Sequence, residues 1–363
     1  MDVDGADLER AFGRPVSSYD VEPLDPHLRI HSITGGVFRV RADGDSCVVK
    51  VVRRSTDATP DGLWGGDEAV SGRNYWKREW LAFDSGLLDH LPGRLRAPRA
   101  LLTTEPTADE CWIWMEDVVG RHGATLHLDD YATIAYDLGT TQGAFAADAM
   151  PRHDWLSRRW LRGWVDACSH LVEALRPATA LDDERLVSLR PLRERVLALW
   201  DARERLLDVV EAAPATVVHC DFWPANLYVD AHARAVAIDW SQVGIGAIAQ
   251  DLDQITLDTV WMQVRPDESL DVLEGLILPA YAAGLRDAGM KVDNGDLRRW
   301  YAAAAAAHYC WMAGMQAIRA AQPDFVAGQE QRFGRDFADL VSDRARVIER
   351  AVVLGESALA GAG

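Results

Sequence analysis

The residue types able to do chemistry crowd into one short island. His219, Asp221 and Asn226 stand in the spacing H-x-D-x-x-x-x-N, and Asp239 follows between Ile238 and Trp240. Two short apolar runs, 216–219 and 235–238, flank the group. A carboxylate in such a loop accepts the proton of a hydroxyl held in line with a phosphoryl group. An amide oxygen and a second carboxylate are the hard donors that Mg²⁺ prefers. A lone Asp in a loop is usually a turn former, but the whole set between two β-branched runs is far more specific. The spacing is that of a kinase catalytic loop. It predicts Asp221 as the base and Asn226 and Asp239 as metal ligands. His219 reads as a buried structural histidine.

A second signal lies far upstream. Lys50 sits inside the run Cys47 to Val52, and strand alternation puts it on one face with Val48 and Val52. A lysine among valines either reaches solvent or meets an anion. Glu79, in Trp76-Lys77-Arg78-Glu79-Trp80, is the expected partner, the pair holding nucleotide phosphates. Thr34-Gly35-Gly36-Val37 reads either as backbone offered to phosphate oxygens, through Gly35 and Gly36, or as a plain hairpin turn. Met115, Glu116 and Val118 are the candidates for main-chain contact with an adenine. Asp251 reads as an N-cap for the following helix and as a brace for the catalytic loop.

These residues need elements to position them. Residues 1–27 read as an irregular or helical lead-in. A strand pattern runs from Leu28 through Ile30, Ile33, Val37 and Val40, turns at Asp43-Gly44, and resumes at Cys47 to Val52. Residues 53–72 read as a long loop, 75–88 as an amphipathic helix, and 98–102 and 111–115 as strands. Beyond Gly120 the pattern turns helical, over 129–147, 153–174 and 185–212, and again from Asp251 onward. The expected division is 1–117, a sheet-rich lobe with one helix, and 118–363, a helical lobe.

Composition bounds the rest. A chain of 363 residues, 48% hydrophobic and 26% charged, buries a large core and suits two lobes. A formal charge of −18 argues against nucleic acid as a partner. Five scattered cysteines with no C-x-x-C pair argue against a disulfide framework or a structural zinc. No signal-like or membrane-spanning run is visible, so a cytoplasmic protein is expected, with no membrane partner.

The chain resembles the aminoglycoside phosphotransferase/choline kinase family. The resemblance rests on Gly35-Gly36, Lys50, Tyr75 to Glu79, Met115-Glu116-Asp117, His219 to Asn226, Ile238-Asp239-Trp240, Asp251-Leu252, Tyr281 to Leu285 and Gly289. It implies an α+β, bilobal protein-kinase-like fold with ATP or GTP and Mg²⁺ in the cleft. It implies Asp221 as base, Asn226 and Asp239 on the metal, and Lys50 on the phosphates. Three departures stand out. Cys220 replaces a frequent Gly, Val37-Phe38-Arg39 lacks small polar residues, and Gln142 replaces a common His.

The expected reaction is phosphorylation of a small-molecule hydroxyl by a monomer or homodimer. Asp253, Asp258 and Asp267 are candidates to greet an amine-bearing acceptor, such as an aminoglycoside, amino sugar or choline-like molecule. Their alternative is a solvated helix face. Trp223, Trp240, Trp261 and Trp311 are either cation–π partners in that pocket or core. Two rivals remain. A peptide- or natural-product-tailoring kinase fits the same site, although no A-P-E signature follows Asp239. A dead nucleotide-binding regulator would normally lack a catalytic group, and this chain keeps all four.

Overall fold

The computed structural model describes residues 3–24, 33–55, 63, 65–148 and 150–361. Leu28 and Ile30 lie outside them, as does part of the 53–72 segment. The architecture is mixed α and β, sheet-rich towards the N-terminus and helical beyond it.

Helix α1 (Gly5–Phe12) precedes the strands β1 (Tyr19–Pro23), β2 (Thr34–Ala42), β3 (Asp45–Arg53), β4 (Ala100–Thr107) and β5 (Glu110–Glu116). They form one antiparallel sheet in the order β1-β2-β3-β5-β4. Side-chain alternation gives the sheet two faces. Val40, Cys47, Val49 and Trp114 pack under α1 in a small core. Val52, Ile113 and Met115 face the other way and join the main core. Lys50, opposite Ile113 in the register, takes that second face.

Helix α2 (Arg78–Asp84) is shorter than the amphipathic pattern implies. Tyr75 is held in a bridge to Asp67, and Gly86 takes φ +74° just past the helix. Strand β1 falls where a lead-in was expected, because a partner strand captures it: Val21 pairs with Val40. The 98–102 run grows into β4 for the same reason, paired along β5.

The helical region contains β6 (Arg121–His122), α3 (Leu128–Asp148), β7 (Ser157–Arg158), α4 (Trp160–Ala167), α5 (Ser169–Leu175), α6 (Arg193–Asp201) and α7 (Arg203–Glu211). The expected helix over 153–174 begins only at Trp160, since Ser157 and Arg158 pair with a later strand. The expected helix over 185–212 breaks into a 3-10 segment with Pro191 inside it, then α6 and α7. Strands β8 (Ala215–Val218), β9 (Leu227–Val229), β10 (Ala235–Ala237) and β11 (Gly244–Ala247) follow. They build two three-stranded sheets, β10-β9-β6 and β7-β11-β8. Helices α8 (Leu252–Trp261), α9 (Leu270–Asp287), α10 (Asn294–Tyr309), α11 (Met312–Ala320), α12 (Pro323–Phe333) and α13 (Phe337–Ala360) complete the chain. Among the described residues, no helix is long and apolar enough to cross a membrane.

The two regions meet through more than the chain between them. Arg96 donates its N–H to Ala235 O at 3.1 Å and accepts from Ala237 N at 2.9 Å, lying beside β10. Its guanidinium forms a fork with Glu116 at 2.9 and 3.2 Å and reaches Asp230 at 3.4 Å.

Helices α3 and α9 press together through glycines. A Cβ on Gly139 would stand 2.4 Å from Tyr281 O, and one on Gly284 would stand 2.2 Å from Tyr136 O. Gly275, also on α9, has nothing within 4 Å. Gly284→Ala should therefore lose about 3 kcal/mol by forcing the helices apart. Gly275→Ala should gain up to about 1 kcal/mol from helix propensity. Denaturant unfolding of both variants measures the contrast.

Candidate active site

The loop from His219 to Asn226 leaves β8 and returns into β9. Its root is fixed by one carboxylate. Asp251 accepts from His219 N at 2.9 Å, Cys220 N at 2.9 Å and Gln142 Nε2 at 2.8 Å. It stands at the N-cap position of α8, but its side chain makes no capping bond there, so the N-cap reading fails while the bracing geometry holds. Two backbone donors turned towards it satisfy the carboxylate instead. Burial pushes Asp251 up to about 7 against these donors.

Gln142 accounts for its own departure from the family pattern. Its amide nitrogen donates to Asp251 and to Val217 O at 3.2 Å, and its oxygen accepts from Tyr281 Oη. An amide offers donor and acceptor together, as a neutral imidazole does. Gln254 adds a second clamp, accepting from Phe222 N at 2.8 Å and donating to Cys220 O at 3.1 Å. Cys220 itself takes φ +62°, the left-handed region that favours glycine. These clamps hold it there.

His219 is buried and neutral. Its Nε2 donates to Ile238 O at 2.9 Å, and its Nδ1 accepts from Asp221 N at 3.2 Å. Burial pushes the imidazole down to about 4. It is a spacer between the loop and β10, as the sequence indicates.

Asn226, nearly buried, donates Nδ2 to Asp221 O at 2.9 Å and to Asp221 Oδ2 at 2.7 Å. Both hydrogens face Asp221, which makes the amide oxygen the end able to meet a cation. Asp239 follows β10 with φ +61°, a strained position of the kind that collects at working sites. Lys50 Nζ lies 2.6 Å from Glu79 Oε2 and 2.7 Å from Asp239 Oδ1. Burial alone would lower the Lys50 ammonium's affinity for its proton, but Asp239 and Glu79 outweigh it and hold the group charged. Burial pushes Asp221 well above the usual carboxylate range, reinforced by Asp239 and Asp258. The structure thus draws Lys50, Glu79 and Asp239 into one ion-paired cluster and joins Asn226 to Asp221.

The other candidates sort differently. Gly35 and Gly36 form no hairpin turn; they open β2 across a bulge. A Cβ on Gly35 would meet Val51 and Arg53 at 2.8 Å, and one on Gly36 the Phe38 ring at 2.6 Å. Met115 is buried in β5. The Glu116 N–H is committed to Arg99 O at 3.0 Å, which removes it as a hinge donor. Val118 N makes no backbone hydrogen bond among the described residues. Asp253 is buried against His308 Nδ1 at 3.0 Å, so it is neither solvated nor open to a ligand. Asp267 is exposed between α8 and α9, away from any hydrogen bond or ion pair with the cluster among the described residues. Asp258 is half-buried, near Asp221 and Tyr309, and burial pushes it up to about 7. Trp240, Trp261 and Trp311 are core; Trp223 is half-buried.

Sequence reasoning gave Gln142 no role and passed over Gln254. No local pattern marks either, since their partners lie across the fold.

The profile of the phosphotransferase enzyme family matches residues 37–287. The chain belongs to that family, and is a transferase with an alcohol group as acceptor. No curated protein matches it. Three solved structures share its fold. The amicoumacin kinase hAmiN, in complex with AMP-PNP, Ca²⁺ and Ami, is 14% identical, covers 88% of each chain and has a TM-score of 0.55. Spectinomycin phosphotransferase APH(9)-Ia, with ADP and spectinomycin, is 11% identical over 99% of each chain, at 0.57. An aminoglycoside phosphotransferase from Alicyclobacillus acidocaldarius is 15% identical over 95% of this chain and 94% of its own, at 0.52.

Two outcomes follow from the loop's anchoring. Asp251→Asn turns an N–H₂ towards a backbone donor, and should cost about 2–3 kcal/mol in denaturant unfolding. The folded pKa of His219, about 4, lies below its ordinary 6.5, so the unfolded chain binds more protons between them. Its stability contribution is complete above 6.5 and is lost as pH falls towards 4. The penalty of His219→Gln should therefore shrink by about 2 kcal/mol between pH 7.5 and 5.

Proposed function

We propose that the protein transfers a phosphoryl group from ATP or GTP, with Mg²⁺, to a hydroxyl of a small molecule that carries an amine. The observation that carries this reading is Lys50, buried between Glu79 at 2.6 Å and Asp239 at 2.7 Å. A lysine so placed is pinned between two carboxylates, with its charge directed beside an acidic metal-ligand candidate.

Each residue then has a task. Asp221 takes the acceptor's proton, and Asn226 orients it through Oδ2. Its raised pKa suits a base that must receive a proton late in the transfer. Asn226 and Asp239 offer hard oxygens. Among the described residues no cluster of three His, Cys, Asp or Glu could hold a metal, which fits an ion that takes its remaining ligands from phosphates and water. Bound there, Mg²⁺ would neutralise the β- and γ-phosphate charge. Lys50 steadies the phosphates, and the backbone of Gly35 and Gly36, where β2 opens across its bulge, is offered to their oxygens. Main-chain atoms of Met115, Glu116 and Val118 face the base, Glu116 through its carbonyl and Val118 through its N–H. The division into 1–117 and 118–363 belongs to the same reading.

Asp258 is the amine-recognising group. A half-buried carboxyl near a second carboxylate is costly to ionise alone, and a cationic acceptor removes that cost. The two structural relatives that carry antibiotic names in complex with their ligands support a small-molecule acceptor.

The test is nucleotide consumption and product mass across aminoglycosides, amino sugars, choline and macrolides. Asp221→Asn should lower turnover by about 10²–10⁴-fold with nucleotide binding retained. Asp258→Asn should raise the acceptor KM by about tenfold, near the worth of one charged hydrogen bond, and leave the nucleotide KM alone. Unchanged turnover in Asp221→Asn would remove the base assignment. An effect of Asp258→Asn on the nucleotide KM alone would remove the amine site.

A further inference from the structure

Glu79 reaches Lys50 only because α2 is docked, and the docking group is the residue beside it. Arg78 is wholly buried. Its Nε donates to Trp155 O at 2.9 Å. Its Nη1 donates to Arg73 O at 2.7 Å and to Ser241 O at 3.5 Å, and Nη2 donates to Gly72 O. Every acceptor is a backbone carbonyl. Among the described residues the guanidinium meets carbonyls and makes no ion pair with a carboxylate. Burial pushes the group down to about 10, with Cys220 and Asp67 opposing.

A buried cation with no carboxylate in direct contact is costly, and burial of hydrocarbon would serve stability better at this place. The four carbonyls come from three segments. One is the loop entering α2, one is the stretch between α3 and α4, and one is the 3-10 turn Trp240–Gln242. That turn begins directly after Asp239. It is tied to α2 a second time, since Trp240 N donates to Glu79 Oε1 at 3.2 Å. Arg73 secures the entering loop, with its guanidinium 5.9 and 5.5 Å from the rings of Trp160 and Trp164. The fork of a guanidinium suits three directions at once, where an ammonium is a single point.

We propose that Arg78 is a positioning residue for nucleotide binding: it fixes α2 against the turn after Asp239, so that Glu79 already holds Lys50 in place before nucleotide arrives. The proposal rests on the nucleotide role of Lys50 given above. Preorganisation of this kind spares the ligand the work of drawing the helix in.

The experiment is a double-mutant cycle read by calorimetric binding of Mg²⁺·ATP to the full chain, with thermal melting alongside. The variants are Arg78→Lys, Glu79→Gln, their combination, and Lys50→Ala. Arg78→Lys should weaken binding about tenfold, and should add nothing in the Glu79→Gln background, as for residues acting through one network. A lowered Tm with unchanged affinity overturns the proposal. So does a loss that multiplies with that of Glu79→Gln. Unchanged affinity in Lys50→Ala sinks the nucleotide reading itself, which separates the two failures. If Arg78→Lys does not melt cooperatively, Arg78→Gln replaces it in the cycle. If neither folds, the guanidinium serves the whole fold and the specific role is wrong.

Discussion

An ammonium taken out of water must meet its counter-charge where it stands. Lys50 is 6% exposed, in the middle of a strand of valines, and most of the molecule answers to that fact. Strand alternation turns it to the inner face with Val48 and Val52. Helix α2 must then bring Glu79 across the sheet, and β10 must end where Asp239 reaches up from the helical region. One cation thus sets the relation of three elements separated widely in the chain. Remove it, and two carboxylates that shared one ammonium are left close together in a protein that already carries a charge of −18.

A second polar group sets the floor beneath. Asp251 gathers the first two amides of the His219–Asn226 loop, and Gln142 ties it to α3 and Tyr281. The glycine contact of α3 with α9 explains why such a chain is short: helices this close let a tyrosine hydroxyl reach an amide. The loop's unusual backbone at Cys220 rests on these bonds and on Gln254. Strain at Cys220 is held by a satisfied network behind it.

How much of this was legible depended on distance along the chain. Asp221, Asn226 and Asp239 lie within one island, so spacing and flanking strands singled them out as candidates. Lys50 and Glu79 were readable because a lone lysine among valines demands an explanation. Gln142 was seen only as a departure, for its partners Val217, Asp251 and Tyr281 sit 75 or more residues away. Asp253 illustrates the opposite error: its helical position suggested a pocket or a solvated face, but α10 covers it with His308. Among elements, long strands and α3 were visible in their periodicity. The three-residue β9 and the short β11 were not, because nothing but a partner strand makes so brief a run extended. The overlong helices were broken by Pro191 and by the capture of Ser157, the first a local signal, the second a tertiary one.

The junction between the two regions has a mechanical consequence. A single linker would let the sheet wobble in every direction about one point. Here a second strand-like crossing runs alongside β10 through Arg96, whose guanidinium also grips Glu116 at the end of β5. Two anchored crossings define a line rather than a point. A displacement of the sheet that kept both crossings intact would be confined to rotation about that line, as a door is confined by two pins.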